Sequence, residues 1–144
     1  MTQAKLLLVD DESAFLQAMA RRLNKRDFEI FTATSGLEAL EVLGENGEKI
    51  EVVILDVKMP GMDGVETLSE IKRKFPLVEV IMLTGHATVA SAIDGMKQGA
   101  FDYLMKPCDM GMLLDKVMEA TGKKRRHEEK IIEARVKEIT ARRA

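Results

Sequence analysis

The sequence predicts an α/β fold: a doubly wound, five-stranded parallel sheet with an added C-terminal helical tail. Short uninterrupted apolar runs recur along the chain, and most of them end abruptly on polar residues. Between successive runs the apolar residues switch to helical spacing. Continuous runs of this length are what parallel strands buried on both faces look like, and helices between them supply the crossovers.

Leu6-Leu7-Leu8-Val9 is the first strand and ends on Asp10-Asp11-Glu12. Phe15, Met19 and Leu23 then recur at i, i+4, i+8, one helix face. Glu29-Ile30-Phe31-Thr32-Ala33 is a weaker second strand. Ser35, an N-cap residue, precedes a helix carrying Leu37, Leu40, Val42 and Leu43. Val52-Val53-Ile54-Leu55 is the third strand and ends on Asp56, and Asp63-Gly64 opens a helix with Val65, Leu68 and Ile71. Val80-Ile81-Met82-Leu83 ends on Thr84-Gly85, and Val89, Ile93 and Met96 follow Thr88. Phe101-Asp102-Tyr103-Leu104-Met105 ends on Lys106-Pro107, and Leu113, Leu114, Val117 and Met118 follow Asp109. One helix after each of five strands argues for right-handed crossovers. Five strands suit the flavodoxin-like order 2-1-3-4-5.

Thr121-Gly122 reads as the stop of the fifth helix. Beyond it, residues 123–144 contain no Pro or Gly, and Ile132, Val136 and Ile139 form one apolar stripe on a charged helix. These residues hold nine Lys/Arg against four Glu, whereas residues 1–122 carry a net charge of −7. The division expected is one domain over 1–122 and a basic helical tail or linker over 123–144.

A chain of 144 residues can bury a core without disulfides or metals. With no Trp and 4% aromatic residues, that core is aliphatic and Met-rich. The single Cys, Cys108, excludes an internal disulfide framework. No signal peptide is legible at the N-terminus and no run of 18 apolar residues occurs, so a cytoplasmic location with no membrane partner is expected.

In an open α/β sheet the ligand site lies beyond the carboxyl ends of the strands, at the point where strand order reverses. Here that is between the first and third strands. Asp10, Asp11 and Asp56 converge there, with Thr84 and Lys106 on the next strand ends. Three neighbouring carboxylates stay ionised only if something neutralises them. Lys106 supplies one charge and a divalent cation the rest. Few carboxylates and hard oxygen ligands suit Mg²⁺. The expected ligands are Asp11 and Asp56, Asp10 directly or through water, and the backbone carbonyl of Lys58. Such a site suits phosphoryl transfer to a carboxylate, with Thr84 and Lys106 holding phosphoryl oxygens. Taken singly, each residue has a duller reading: Asp10 and Asp11 as helix caps, Asp56 as a turn residue before Pro60-Gly61, Thr84 as a strand end. Their joint placement at neighbouring strand ends is what carries the chemistry.

Residues 4–120 resemble a response-regulator receiver domain. The matching pieces are Leu8-Val9-Asp10-Asp11-Glu12, the run from Asp56 to Gly64, Leu83-Thr84-Gly85, and the run from Gly99 to Pro107. The resemblance implies a two-component switch rather than an enzyme acting on other substrates. Asp56 would be phosphorylated by a histidine kinase or phosphotransfer protein, with Mg²⁺ on the acidic pair. Thr84 and Tyr103 would be the switch residues, and Lys106-Pro107 a cis peptide. Lys58 and His86 flank the site at positions that tune dephosphorylation. The output surface is the face of the fourth helix, fifth strand and fifth helix. A homodimer through that face or through the tail is left open, as is nonspecific contact of the basic tail with DNA; the receiver itself is not expected to bind nucleic acid. The downstream target is not legible, nor whether the chain stands alone or precedes an effector domain.

Two other classes share parts of this pattern. A haloacid dehalogenase-type phosphatase also uses Asp, Mg²⁺, Thr and Lys, but spaces its first two Asp by one residue. A flavodoxin-type flavin module needs a phosphate-binding loop after the first strand, where Asp10-Asp11-Glu12 would repel phosphate.

Overall fold

The structure, a computed structural model, describes residues 4–57, 61–85 and 89–143. Its elements are β1 (Lys5–Val9), α1 (Ser13–Asn24), β2 (Glu29–Ala33), α2 (Gly36–Asn46), β3 (Val52–Leu55), α3 (Gly64–Lys74), β4 (Glu79–Thr84), α4 (Val89–Lys97), β5 (Asp102–Met105) and α5 (Met110–Arg143). A short 3-10 turn, Gly47–Lys49, follows α2 and was not legible in the sequence. The five strands form one parallel sheet in the order β2-β1-β3-β4-β5, as expected.

Alternation along each strand sorts the core into two layers. Leu6, Leu8, Val52, Ile54, Ile81, Leu83 and Leu104 face one way and pack with Leu16, Met19 and Leu23 of α1 and Leu113 and Val117 of α5. Leu7, Val9, Val53, Leu55, Val80 and Met82 face the other way, against Ala39 and Leu43 of α2 and Leu68 and Ile71 of α3. Side chains that point to opposite faces at successive positions can both be apolar only if helices cover both faces. This is why β1, β3 and β4 read as unbroken apolar runs.

Local signals set several helix starts. The Ser35 hydroxyl accepts the Glu38 N–H at 3.1 Å, and the Asp63 carboxylate accepts the Glu66 N–H at 2.9 Å. Each satisfies one of the donors a helix leaves unpaired at its first turn. Asp109 does the same for the Met112 N–H at 3.2 Å. Asp10 and Asp11 are not the N-cap of α1. That position is Glu12, and it has no side-chain capping bond.

Three expectations are corrected. β5 is not a strand buried on both faces: it lies at the sheet edge, only Leu104 is buried, and Met105 is 53% exposed. Ile93 and Met96 of α4, at helical spacing in the sequence, are about half exposed. The helix stop at Thr121-Gly122 does not occur, because α5 runs unbroken through both residues to Arg143. A helix-interior glycine costs only about 1 kcal/mol relative to Ala. Contacts distant in sequence offset that cost. Lys123 pairs with the buried Glu79 at 3.6 Å, and Arg125 makes a two-bond pair with Glu51 at 2.8 and 3.0 Å. The first residues of the basic tail are thus tied to acidic groups at the N-terminal edge of the sheet. The stripe Ile132, Val136 and Ile139 forms on the helix as expected and is exposed. No described helix is long and apolar enough to cross a membrane.

Candidate phosphoacceptor site

Strand register delivers the site residues to one place. Val9 pairs with both Ala33 and Leu55, so the next residues, Asp10 and Asp56, leave adjacent strands side by side. The Asp10 N–H is held by the Ala33 carbonyl at 3.1 Å and the Asp56 N–H by the Val9 carbonyl at 2.9 Å. Thr84 pairs with Met105, and its carbonyl accepts the Lys106 N–H at 2.9 Å. The backbone ladder therefore continues into the site, and rigid strand ends aim its side chains.

Asp10, Asp11 and Asp56 each offer an oxygen within 4.8 Å of the other two. Asp10 and Asp56 are buried, at 2% and 3% exposure, whereas Asp11 is exposed at the mouth. Lys106 Nζ lies 2.5 Å from Asp10 Oδ2 and 3.8 Å from Glu12 Oε1. Asp10 Oδ1 accepts the Glu12 N–H at 2.9 Å. Both oxygens of Asp10 are thus engaged, but the buried Oδ1 of Asp56 has no hydrogen-bond partner among the described residues. A buried carboxylate oxygen left this way is costly, and natural structures keep such atoms chiefly where chemistry or an ion uses them. Three carboxylates facing one ammonium leave an excess of negative charge. An oxygen-only donor set with one open, buried oxygen fits a hard divalent cation such as Mg²⁺, which brings its own waters.

Gly64 is required at the opening of α3. A Cβ there would overlap the carbonyl oxygen of Asp56 and the Cα of Val57, and the Gly64 N–H donates to the Val57 carbonyl at 2.6 Å. The helix start thus packs directly on the backbone of the phosphoacceptor candidate. Thr84 is fully buried beside the site. Tyr103, on β5, packs against the layer of Leu7, Val9 and Met82, and its hydroxyl lies 3.0 Å from Ser91 Oγ on α4.

The structure therefore brings together Asp10, Asp11, Asp56, Thr84 and Lys106 as the sequence indicated, and sets Tyr103 between the sheet and α4. Lys106-Pro107 is cis. Lys58, Pro60, His86 and Thr88 lie outside the described residues. Three participants were not legible. Ser91 and Gly64 gave no signal beyond helix periodicity and a turn. Phe15, read only as a helix-face apolar residue, has its ring centroid 4.0 Å from Lys106 Nζ.

Residues 6–118 match the response regulator receiver domain family. The chain belongs to that family. Phosphoryl acceptance by an Asp and Mg²⁺ binding at an acidic pocket are typical of receivers, which act as phosphoacceptor switches in two-component systems. The transcriptional regulatory protein GlrR of Escherichia coli is 39% identical over 117 residues, covering 81% of this chain and 26% of that protein. The chain thus spans about a quarter of the length of that curated relative. A receiver domain crystal structure from Clostridium thermocellum is 39% identical with a TM-score of 0.76, covering 89% of this chain and 98% of that one. A response regulator from Burkholderia pseudomallei, 27% identical with a TM-score of 0.75 over 88% of this chain and 73% of that one, was crystallised with a phosphorylated aspartic acid and a calcium ion.

Proposed function

We propose that this receiver domain takes a phosphoryl group on Asp56 from a phosphohistidine of a kinase or phosphotransfer protein. The observation that carries the assignment to this residue is its buried carboxylate at the junction of β1 and β3, clustered within 4.8 Å of those of Asp10 and Asp11, with Oδ1 unpartnered among the described residues. A carboxylate oxygen attacks phosphorus, the new O–P bond forms as the P–N bond breaks, and the leaving imidazole keeps its electron pair and takes up a proton. Asp10, Asp11 and Asp56, with the backbone carbonyl of Lys58 from outside the described residues, would hold Mg²⁺, which would supply charge neutralisation for the carboxylates and the phosphoryl oxygens. Lys106 contributes a compact positive charge already at the site. Thr84 donates its hydroxyl to a phosphoryl oxygen.

The phosphoryl group adds about −1.5 to −2 charge and three acceptor oxygens. Thr84 turns toward it, and Tyr103 shifts between two positions, exchanging its bond to Ser91. Because Ser91 belongs to α4, that exchange reaches the face formed by α4, β5 and α5. Exposed Ile93, Met96, Met105, Met112 and Met118 on these elements support a role in binding a downstream protein or effector domain. The domain assists only its own phosphorylation and dephosphorylation. The division into a switch over 1–122 and a basic tail over 123–144 remains part of this proposal, with the first tail residues clamped to the switch.

The test is Mg²⁺-dependent labelling by an acyl phosphate. Wild type is expected to be labelled, Asp56→Asn not, and Thr84→Ala is expected to be labelled but to leave the signals of α4 and β5 unshifted. Labelling of Asp56→Asn at the wild-type rate would overturn the assignment.

A further inference from the structure

Lys106 has to stay charged, close and correctly aimed through every state of the site. Among the described residues its ammonium meets three groups: Asp10 Oδ2 at 2.5 Å, Glu12 Oε1 at 3.8 Å, and the face of Phe15, with the ring centroid at 4.0 Å. These three respond differently when a divalent cation enters. Asp10 then shares its charge with the cation, so its hold on Lys106 weakens while the cation repels the ammonium. Glu12 is 67% exposed, and solvent screens its pull. The Phe15 ring has no net charge to share. Its quadrupole attracts the ammonium whether or not the carboxylates are occupied. A ring also competes poorly as a hydrogen-bond acceptor, so it leaves the ammonium's donors for a phosphoryl oxygen. Phe15 is itself held: it is half-buried on α1 and packs on the core layer formed with α5.

We propose that Phe15 is a positioning residue that keeps Lys106 over the site when Asp10 is taken by a cation. This inference rests on the phosphoacceptor reading above. It adds a role for a residue on α1 that is neither the proposed phosphoacceptor nor a proposed metal ligand.

The first test needs no substitution and no turnover. The Lys106 ε-methylene protons, beside the ring face, are expected to show an upfield ring-current shift in metal-free protein, and to keep it when Mg²⁺ is added. Loss of the shift on adding Mg²⁺ would show that the contact depends on the Asp10 pair and would overturn the proposal. The second test is labelling by an acyl phosphate at saturating Mg²⁺. Phe15→Leu, which keeps apolar packing, is expected to slow labelling about three- to tenfold. Phe15→Tyr, which keeps the ring, is expected to stay within about twofold of wild type. A Phe15→Leu rate equal to wild type, or a Phe15→Tyr rate as low as that of Phe15→Leu, would refute it. Asp56→Asn and Lys106→Ala run alongside: if neither slows labelling, the phosphoacceptor reading itself fails; if both do and Phe15→Leu does not, only the role of Phe15 falls.

Discussion

Replacing Asp56 by Asn removes one negative charge from a cluster of two buried carboxylates and one exposed one, while keeping the side chain's size. The carboxylate oxygens of Asp10, Asp11 and Asp56 lie within 4.8 Å of one another. At that separation two unit charges repel by about 3.5 kcal/mol at an effective dielectric near 20. The full value is not recovered. Asp10 is already met by Lys106 at 2.5 Å, and Asp11 is exposed to water. A net relief of about 1–2 kcal/mol is expected. For a chain of this size that is a rise in melting temperature of about 2–8 °C. The assay is thermal unfolding in chelator and again in excess Mg²⁺. In chelator Asp56→Asn is expected to melt above wild type. Excess Mg²⁺ is expected to narrow or reverse the difference, because a ligand that binds only the folded state at a hundred times its dissociation constant adds about 2.7 kcal/mol. Wild type, with all three carboxylates, gains the larger share. A variant that melts at or below wild type in chelator, or an equal Mg²⁺ gain for both proteins, would refute the charge-excess argument.

Other consequences follow from the same contacts. Gly64→Ala puts a methyl group into the backbone of Asp56 and Val57, which cannot swing aside, so a loss of about 1–3 kcal/mol in chemical denaturation and slower acyl phosphate labelling are expected together. Arg125→Ala removes the two-bond pair with Glu51; the pair is partly exposed, so global stability should change by less than about 1 kcal/mol. Amide hydrogen exchange around residues 123–131 should nonetheless quicken, and unchanged exchange there would mean the clamp does not hold the tail. Burial, and next the carboxylate of Asp109, push the Cys108 thiol above its ordinary range. A raised value means less thiolate at mildly alkaline pH, so alkylation by iodoacetamide should be slower than for a free thiol and should speed up in Asp109→Asn.

The sequence was sufficient wherever local chemistry or period-two burial decides the outcome. Ser35 and Asp63 mark helix starts because their side chains bond the N–H three residues on. The runs in β1, β3 and β4 reveal a sheet covered on both faces because no other environment favours apolar side chains on both sides of a strand. Once the strand order follows from five alternating units, the meeting of Asp10, Asp11, Asp56, Thr84 and Lys106 at the carboxyl ends follows with it. Tertiary structure alone decided what depends on partners distant in sequence. Gly122 reads as a stop in its own neighbourhood; Glu79, reached by Lys123, and Glu51, reached by Arg125, carry the helix through it. The apolar residues Ile93 and Met105 look like core in one dimension and are exposed because α4 and β5 lie at the margin of the sheet. Asp56 is the clearest case. Its identity as an acidic strand end is visible in the chain, but only packing shows that one of its oxygens is buried without a partner among the described residues, because a lost or kept hydrogen bond is a property of everything that surrounds the atom.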